Sequence, residues 1–199
     1  MAKKKDNQKF SSSPQKRSEP KPPKKITASY LQNSGLYYLQ RFPASRAHFQ
    51  FIMMRKINRS IKHHGDPSVE DAQAMLDKVT DTFTELGYLN DQQYAIGLSR
   101  SLFRKGISPK MIEHRLKQKG LEQDIIDEAL GEILPDNANM LAALQLLKRR
   151  RYGIFATHPD KKEEQKILGL LARSGFSYQT ASRVMAIDMD EALDLLDTL

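Results

Sequence analysis

The sequence predicts an all-α protein: an elongated, curved array of three tandem three-helix repeats, preceded by a disordered basic arm. Periodicity is the first reason. From Ile26 onward apolar residues recur at three- and four-residue spacing, with no sustained period-two alternation and no Asn-Gly or Asp-Gly hairpin signal. Repetition is the second. The segments between glycines look alike, each reading helix, turn, helix ending in Gly, then helix. Charge is the third. Of the formal +8, residues 1–25 hold nine Lys/Arg and two acids, so +7, and the rest of the chain is nearly neutral. One three-helix unit alone exposes too much apolar surface, and stacking its neighbours covers it.

Residues 1–27 form the arm. Four prolines, a serine run and almost no apolar side chains cannot bury enough surface to offset the entropy of ordering them. Such an arm serves either as a nucleic-acid contact or as a solubilising tail. The first repeat spans 28–89. Its middle helix, Ser45 to His63, puts Phe49, Ile52, Met53, Ile57 and Ile61 on one face. Asp66-Pro67 then reads as an N-cap with proline at the first helical position. It opens a helix whose stripe is Ala72, Met75, Leu76, Val79, Phe83 and Leu86.

The second repeat spans 90–135. Asp91 to Lys105 carries Tyr94, Ala95, Leu98 and Leu102; Ser108-Pro109 starts a helix carrying Ile112 and Leu116; Asp124 to Ile133 carries Ile126, Ala129 and Leu130. The third spans 138–187, with helices from Asn139 to Arg151, Asp160 to Arg173 and Ser177 to Ala186. An acidic helix over 188–199 follows and is expected to cover the open end of the array. Asp160 with Glu163, and Asp188 with Glu191, have capping-box spacing. Gly65, Gly87, Gly120 and Gly175 each follow a periodic run, where a left-handed residue is wanted.

Composition excludes several kinds of chemistry. With no cysteine there is no disulfide, zinc–thiolate site, iron–sulfur cluster or thiol nucleophile. No stretch approaches the roughly 20 apolar residues of a spanning helix, and no apolar core follows the basic start, so a soluble cytoplasmic protein is expected. Gly106-Ile107-Ser108-Pro109-Lys110 lacks phosphate-loop spacing, and neither a nucleophile elbow nor a pair of catalytic carboxylates stands out. The histidines assemble no metal site: His63 and His64 are adjacent, and His48, His114 and His158 are solitary. No enzyme, cofactor or metal is expected.

The cations are the candidate binding residues. Lys148, Arg149, Arg150 and Arg151 end a helix. One or two would suffice to complement its dipole, and four in a row suit a polyanion or an acidic protein surface. Arg100 and Arg104 are four apart and share a side, with Lys105 beside them; Arg115 and Lys119 do likewise on the next helix, with Lys110 and Lys117 flanking. A solvated face accounts for each alone. Their recurrence on adjacent helices suggests one surface able to grip phosphates or carboxylates. The C-terminal acids read as the polar side of a capping helix, or as a self-inhibitory segment competing for those cations.

Three stretches together resemble the RecX family, regulators of the RecA recombinase. Tyr38-Leu39-Gln40-Arg41-Phe42-Pro43-Ala44-Ser45-Arg46 is similar to that family's opening helix and Arg-Pro-x-Ser turn, with Phe42 where a basic residue is usual. Leu86-Gly87-Tyr88-Leu89-Asn90-Asp91, then Tyr94-Ala95, Arg100, Arg104-Lys105-Gly106, Ile112, Leu116 and Lys119-Gly120-Leu121 match its central unit. Lys148 to Phe155, followed by Leu171-Ala172-Arg173-Ser174-Gly175-Phe176, is similar to the third unit of proteobacterial members. The resemblance covers Leu36 to Ile187. It implies a non-enzymatic regulator, expected as a monomer, that lies along the RecA–DNA filament and damps ATP hydrolysis, strand exchange and repressor cleavage. Arg46 and the cations above would form its RecA- or DNA-binding surface, with single- or double-stranded DNA as a further partner and no membrane. The alternative is a general helical DNA- or RNA-binding protein that uses the arm and the cation clusters.

Overall fold

The computed structural model describes residues 22–157 and 163–197. Ten α-helices, in an elongated array with repeat-like packing, make up almost all of it. They are α1 (Ala28–Leu39), α2 (Arg46–His64), α3 (Val69–Glu85), α4 (Asp91–Phe103), α5 (Pro109–Lys117), α6 (Gln123–Ile133), α7 (Ala138–Arg150), α8 (Glu163–Arg173), α9 (Tyr178–Ala186) and α10 (Met189–Asp197). A 3₁₀ turn, Gly153–Phe155, precedes α8.

Local chemistry sets the boundaries. Thr27, Ser45, Ser68, Asn90, Ser108 and Ser177 each accept a hydrogen bond from a backbone N–H in the first turn they open. Each removes one of the orphan donors at a helix start. Asp188 does the same for Glu191 N at 2.9 Å. Gly65, Gly87, Gly120 and Gly175 all have positive φ, as their positions after the apolar runs required. Asp160 and His158 lie outside the described residues.

Two expectations change. The cap of α3 is Ser68, not Asp66: Ser68 Oγ accepts from Asp71 N at 3.0 Å and donates to Asp71 Oδ2 at 2.8 Å. This reciprocal pair satisfies more groups than an Asp-Pro start would, and Asp66 is left to pair with Lys25 at 2.7 Å. The end of the basic arm is also held in place. Ile26 is buried, Ser60 Oγ donates to the Lys24 carbonyl at 2.8 Å, and His64 Nε2 lies 2.7 Å from the Pro23 carbonyl. One apolar side chain and two carbonyl contacts fix residues 22–27 against α2; residues 1–21 lie outside the described residues.

The helices follow one another in threes, but their apolar side chains gather into two cores. Leu31, Phe49, Met53, Ile57, Leu76, Val79 and Phe83 pack together between α1, α2 and α3. A second core runs without a break from Ala95 on α4 to Ala192 on α10. Gly106 shows why α4 and α7 fuse. A Cβ there would come within 2.5 Å of Leu146 N and 2.8 Å of the Ala142 carbonyl, and its φ of 70° is already left-handed. Only glycine lets the end of α4 lie directly on the α7 backbone. Through Ala192, α10 joins this core against α7, leaving Met189 and Leu193 exposed.

One polar joint occurs twice. Ser108, the cap of α5, is fully buried and donates to the Ser174 carbonyl at 2.7 Å, in the turn that closes α8. Ser45, the cap of α2, is equally buried and donates to the Lys119 carbonyl, in the turn that closes α5. In both, a cap hydroxyl satisfies a carbonyl that its own helix leaves unpaired. The positive start of one helix meets the negative end of another, which is favourable. The middle helices α8, α5 and α2 therefore succeed one another end to start. Gly175 lies against Ser108 and Met111, and Gly120 against Ala47, where a Cβ would come within 2.5 Å of the alanine methyl. Asp91 strengthens the second joint by accepting from Arg46 N at 2.7 Å.

Candidate functional site

The fold sorts the cations by availability. Arg46 is engaged on both sides of the joint: its guanidinium pairs with Asp81 of α3, and its backbone N–H donates to Asp91 of α4. Lys117 is tied to Glu113 at 2.7 Å one turn earlier, and this bond holds the Glu113 carboxyl below its usual range. Arg100 reaches only loosely toward Glu132 at 3.9 Å, with both side chains more than half exposed. Pairs of this kind contribute little and leave the cation available to a partner.

Arg100, Arg104 and Lys105 line an open groove of about 570 Å³ whose floor is Gly97 and Ser101. The small floor residues follow from helical spacing: 97 and 101 lie one turn apart, beside the Arg100–Arg104 row. The close approach of Gly106 to Leu146 brings this groove next to α7. Lys148, Arg149 and Arg150 form the last turn of α7, two residues beyond that contact, and all three are exposed. Arg151 follows with φ 57°, so the chain turns sharply and this cation leaves the helical path of the other three. None of the four pairs with a carboxylate among the described residues. Lys105 and Lys148 thus flank the contact of Gly106 with the α7 backbone, one residue before it and two beyond it.

The α5 cations divide. Lys110 is exposed at the α8 end and Arg115 is half-buried midway. Lys119 lies at the far end, at the joint with α2, with its Nζ 3.5 Å from His48 Nε2. His48 is therefore not solitary. Burial, and then the Lys119 charge, lower its pKa below the ordinary histidine value. His48, Phe51, Ala47, Gln118, Lys119 and Gly120 line a second groove of about 520 Å³ across that joint.

One basic element escapes a search for clustered cations: α2 itself. From Arg46 to His64 it has five Lys/Arg, three His and no acid. The cations are spaced by apolar residues, so no run marks them. The signal is the complete lack of acids over nineteen residues.

Other chemistry finds no footing here. Among the described residues no group of three or more His, Asp or Glu is placed to hold a metal. No helix among them is long and apolar enough to cross a membrane. The apolar groove of about 620 Å³ between the 3₁₀ turn, α8 and α9 has Glu163 and Glu164 at its edge, and Glu163 is already bound to Gly153 N at 2.7 Å.

Residues 90–130, which hold α4, α5 and most of α6, match the family model for the second three-helix domain of RecX. The regulatory protein RecX of Myxococcus xanthus is 33% identical over 176 residues, which cover 86% of this chain and 94% of that protein. The regulatory protein RecX of Agrobacterium fabrum is 29% identical over 170 residues, 84% of this chain and 88% of its own. The crystal structure of RecX from Lactobacillus salivarius shares the fold, with a TM-score of 0.54 and 22% identity over 86% of this chain and 97% of that one.

Proposed function

The chain belongs to the RecX family of non-enzymatic regulatory proteins, and on that premise we propose that it binds the RecA–DNA filament in the cytoplasm and modulates it, mainly by inhibition. ATP hydrolysis, strand exchange and co-protease activity are the processes it would damp. The similarity to a RecX over nearly the whole length of both chains carries the reading. Shape and charge support it. Middle helices that follow one another end to start give a long protein, suited to a long partner. Arg100, Arg104 and Lys105 beside one groove, and Lys148 to Arg151 at the end of α7, offer exposed cations to acidic side chains or phosphates along it.

DNA-stimulated ATP hydrolysis by the RecA of the same organism tests this. Substoichiometric protein should lower the rate. Arg149→Glu with Arg150→Glu should weaken that inhibition while helicity by circular dichroism stays the same, because both side chains are exposed. No effect of the intact protein on the rate, together with no retention on sedimented filaments, would falsify the reading. If removal of residues 1–25 abolished all binding, the general nucleic-acid binder would be the better description.

A further inference from the structure

We propose that the outer face of α2 is a binding stripe for single-stranded DNA, on which a base stacks on Phe51 and phosphates meet Arg55, Arg59, Lys62 and Lys119. The alignment follows from helical geometry. At about 100° per residue, His48, Phe51, Arg55, Arg59 and Lys62 fall within a sector of about 80° and extend over about 21 Å. The residues that α2 buries, Phe49, Met53, Ile57 and Ser60, lie on the opposite side.

Phe51, Arg55, Arg59 and Lys62 are exposed, and Lys119 is half-buried. Phe51 is 59% exposed, a large apolar ring in water with no core to justify it. The His48 ring lies nearly parallel to it, 6.2 Å away, and the Arg55 guanidinium stands 6.0 Å over its centre. Arg55, Arg59 and Lys62 are exposed, and none pairs with a carboxylate among the described residues. Lys119 comes across the joint to the start of the stripe.

The aromatic member decides the class of partner. A cation row alone fits any polyanion, duplex DNA and acidic protein included. A flat ring set between cations gains most from an unstacked base, and duplexes hide their base faces. The groove at Arg100, Arg104 and Lys105 has no such ring, only Gly97 and Ser101. The two basic regions thus suit different ligands: strand on α2, and the partner's acidic groups on α4 and α7. The choice of DNA over RNA rests on the filament reading above. Stacking itself is tested without any recombinase, so the two can fail separately.

The chain has no tryptophan, so Phe51→Trp in the full-length protein places a single fluorescent reporter on the stripe. Oligo(dT) should quench it, while poly-glutamate should not. By anisotropy, Phe51→Ala should weaken oligo(dT) binding about tenfold and binding to a duplex of the same length far less. Arg55→Glu with Arg59→Glu should lower the slope of log affinity against log salt by about 1.4, two phosphates at about 0.7 each. Tyr178→Ala, at a 76% exposed ring on α9, should change none of these. All variants are at exposed positions, and circular dichroism confirms their folding. Unquenched tryptophan with oligo(dT), or equal loss of strand and duplex binding in Phe51→Ala, overturns the stripe. Quenching by poly-glutamate assigns the face to an acidic protein instead, and tighter binding of oligo(U) overturns the assignment to DNA.

Discussion

At Ser108 the polar joint lies within a continuous apolar core, and at Ser45 it stands between two separate ones. The local chemistry is the same: a buried cap serine, an unpaired carbonyl, and a glycine turn against the first turn of the next helix. The surroundings differ. Phe176, Ile167 and Leu171 from the α8 region share a core with Ile112 and Leu116 of α5. Across the other joint run Ser45 to Lys119, Arg46 to Asp91, Lys119 to His48, and Gly120 against Ala47. Hydrogen bonds between groups that water could serve as well contribute about 1 kcal/mol each, whereas buried area accumulates. The joint between α1–α3 and the rest therefore relies on hydrogen bonds and close turns more than on a shared apolar core. The proposed strand stripe begins at that joint, with His48 on one side and Lys119 on the other.

The contrast can be broken most severely inside the fused core. Gly106→Ala forces a side chain into left-handed backbone and onto Leu146 N. A loss of about 3 kcal/mol or more is expected from strain and overpacking together. Denaturant titration should show it as a lower midpoint, in a single transition for α4–α10.

The two serines give a sharper comparison. Ser45→Ala and Ser108→Ala each remove a cap, worth about 1 kcal/mol, and orphan a carbonyl, for about 2 kcal/mol in all. Equal local losses should have unequal consequences. Ser108→Ala should shift one cooperative transition. Ser45→Ala should uncouple α1–α3, so that hydrogen exchange there rises ahead of that in α7, whose Leu141, Leu144 and Leu147 are fully buried. Identical exchange patterns in the two variants would remove the distinction between the joints.

Asp91→Ala is a milder probe of the same joint. It deletes the acceptor of Arg46 N and an acid favourable in the first turn of α4, for about 1 kcal/mol. Faster exchange should be confined to the start of α2. His48 gives the smallest effect. Its pKa is lowered in the folded state by burial and by Lys119, so as pH falls the unfolded chain takes up this proton first. Stability from this group is present above the unfolded value of about 6.5 and declines below it. In His48→Gln that part of the decline between neutral and mildly acidic pH should disappear from the melting temperatures.

The elements were largely legible in sequence. Ser108-Pro109 and Asp188 begin their helices as their spacing indicates, and the four glycines close theirs. Asp66-Pro67 misled because Ser68, two residues on, takes the cap through its reciprocal bond with Asp71. Among the site residues, Lys148 to Arg151 announce themselves as a run. Arg46 and Lys117 read as free cations, because the carboxylates that engage Arg46 are contributed by α3 and α4, while Glu113 is near Lys117 but passes as ordinary helix charge. The α2 stripe stayed hidden because its cations are dispersed among apolar positions.

What the sequence determined by itself was local: which segments are helical, where most of them begin and end, and that +7 of the net charge of +8 lies in the first 25 residues. Capping, left-handed turns and amphipathic spacing act within a few residues of one another, so they can be read along the chain. Only the tertiary structure decided that the three-by-three order of helices is packed as two cores. It also decided that Ser45 meets Lys119 across 74 residues, and that Gly106 lies against the α7 backbone at Ala142 and Leu146. Those outcomes depend on which helix ends and faces fit together in space, and no spacing along the chain encodes that fit.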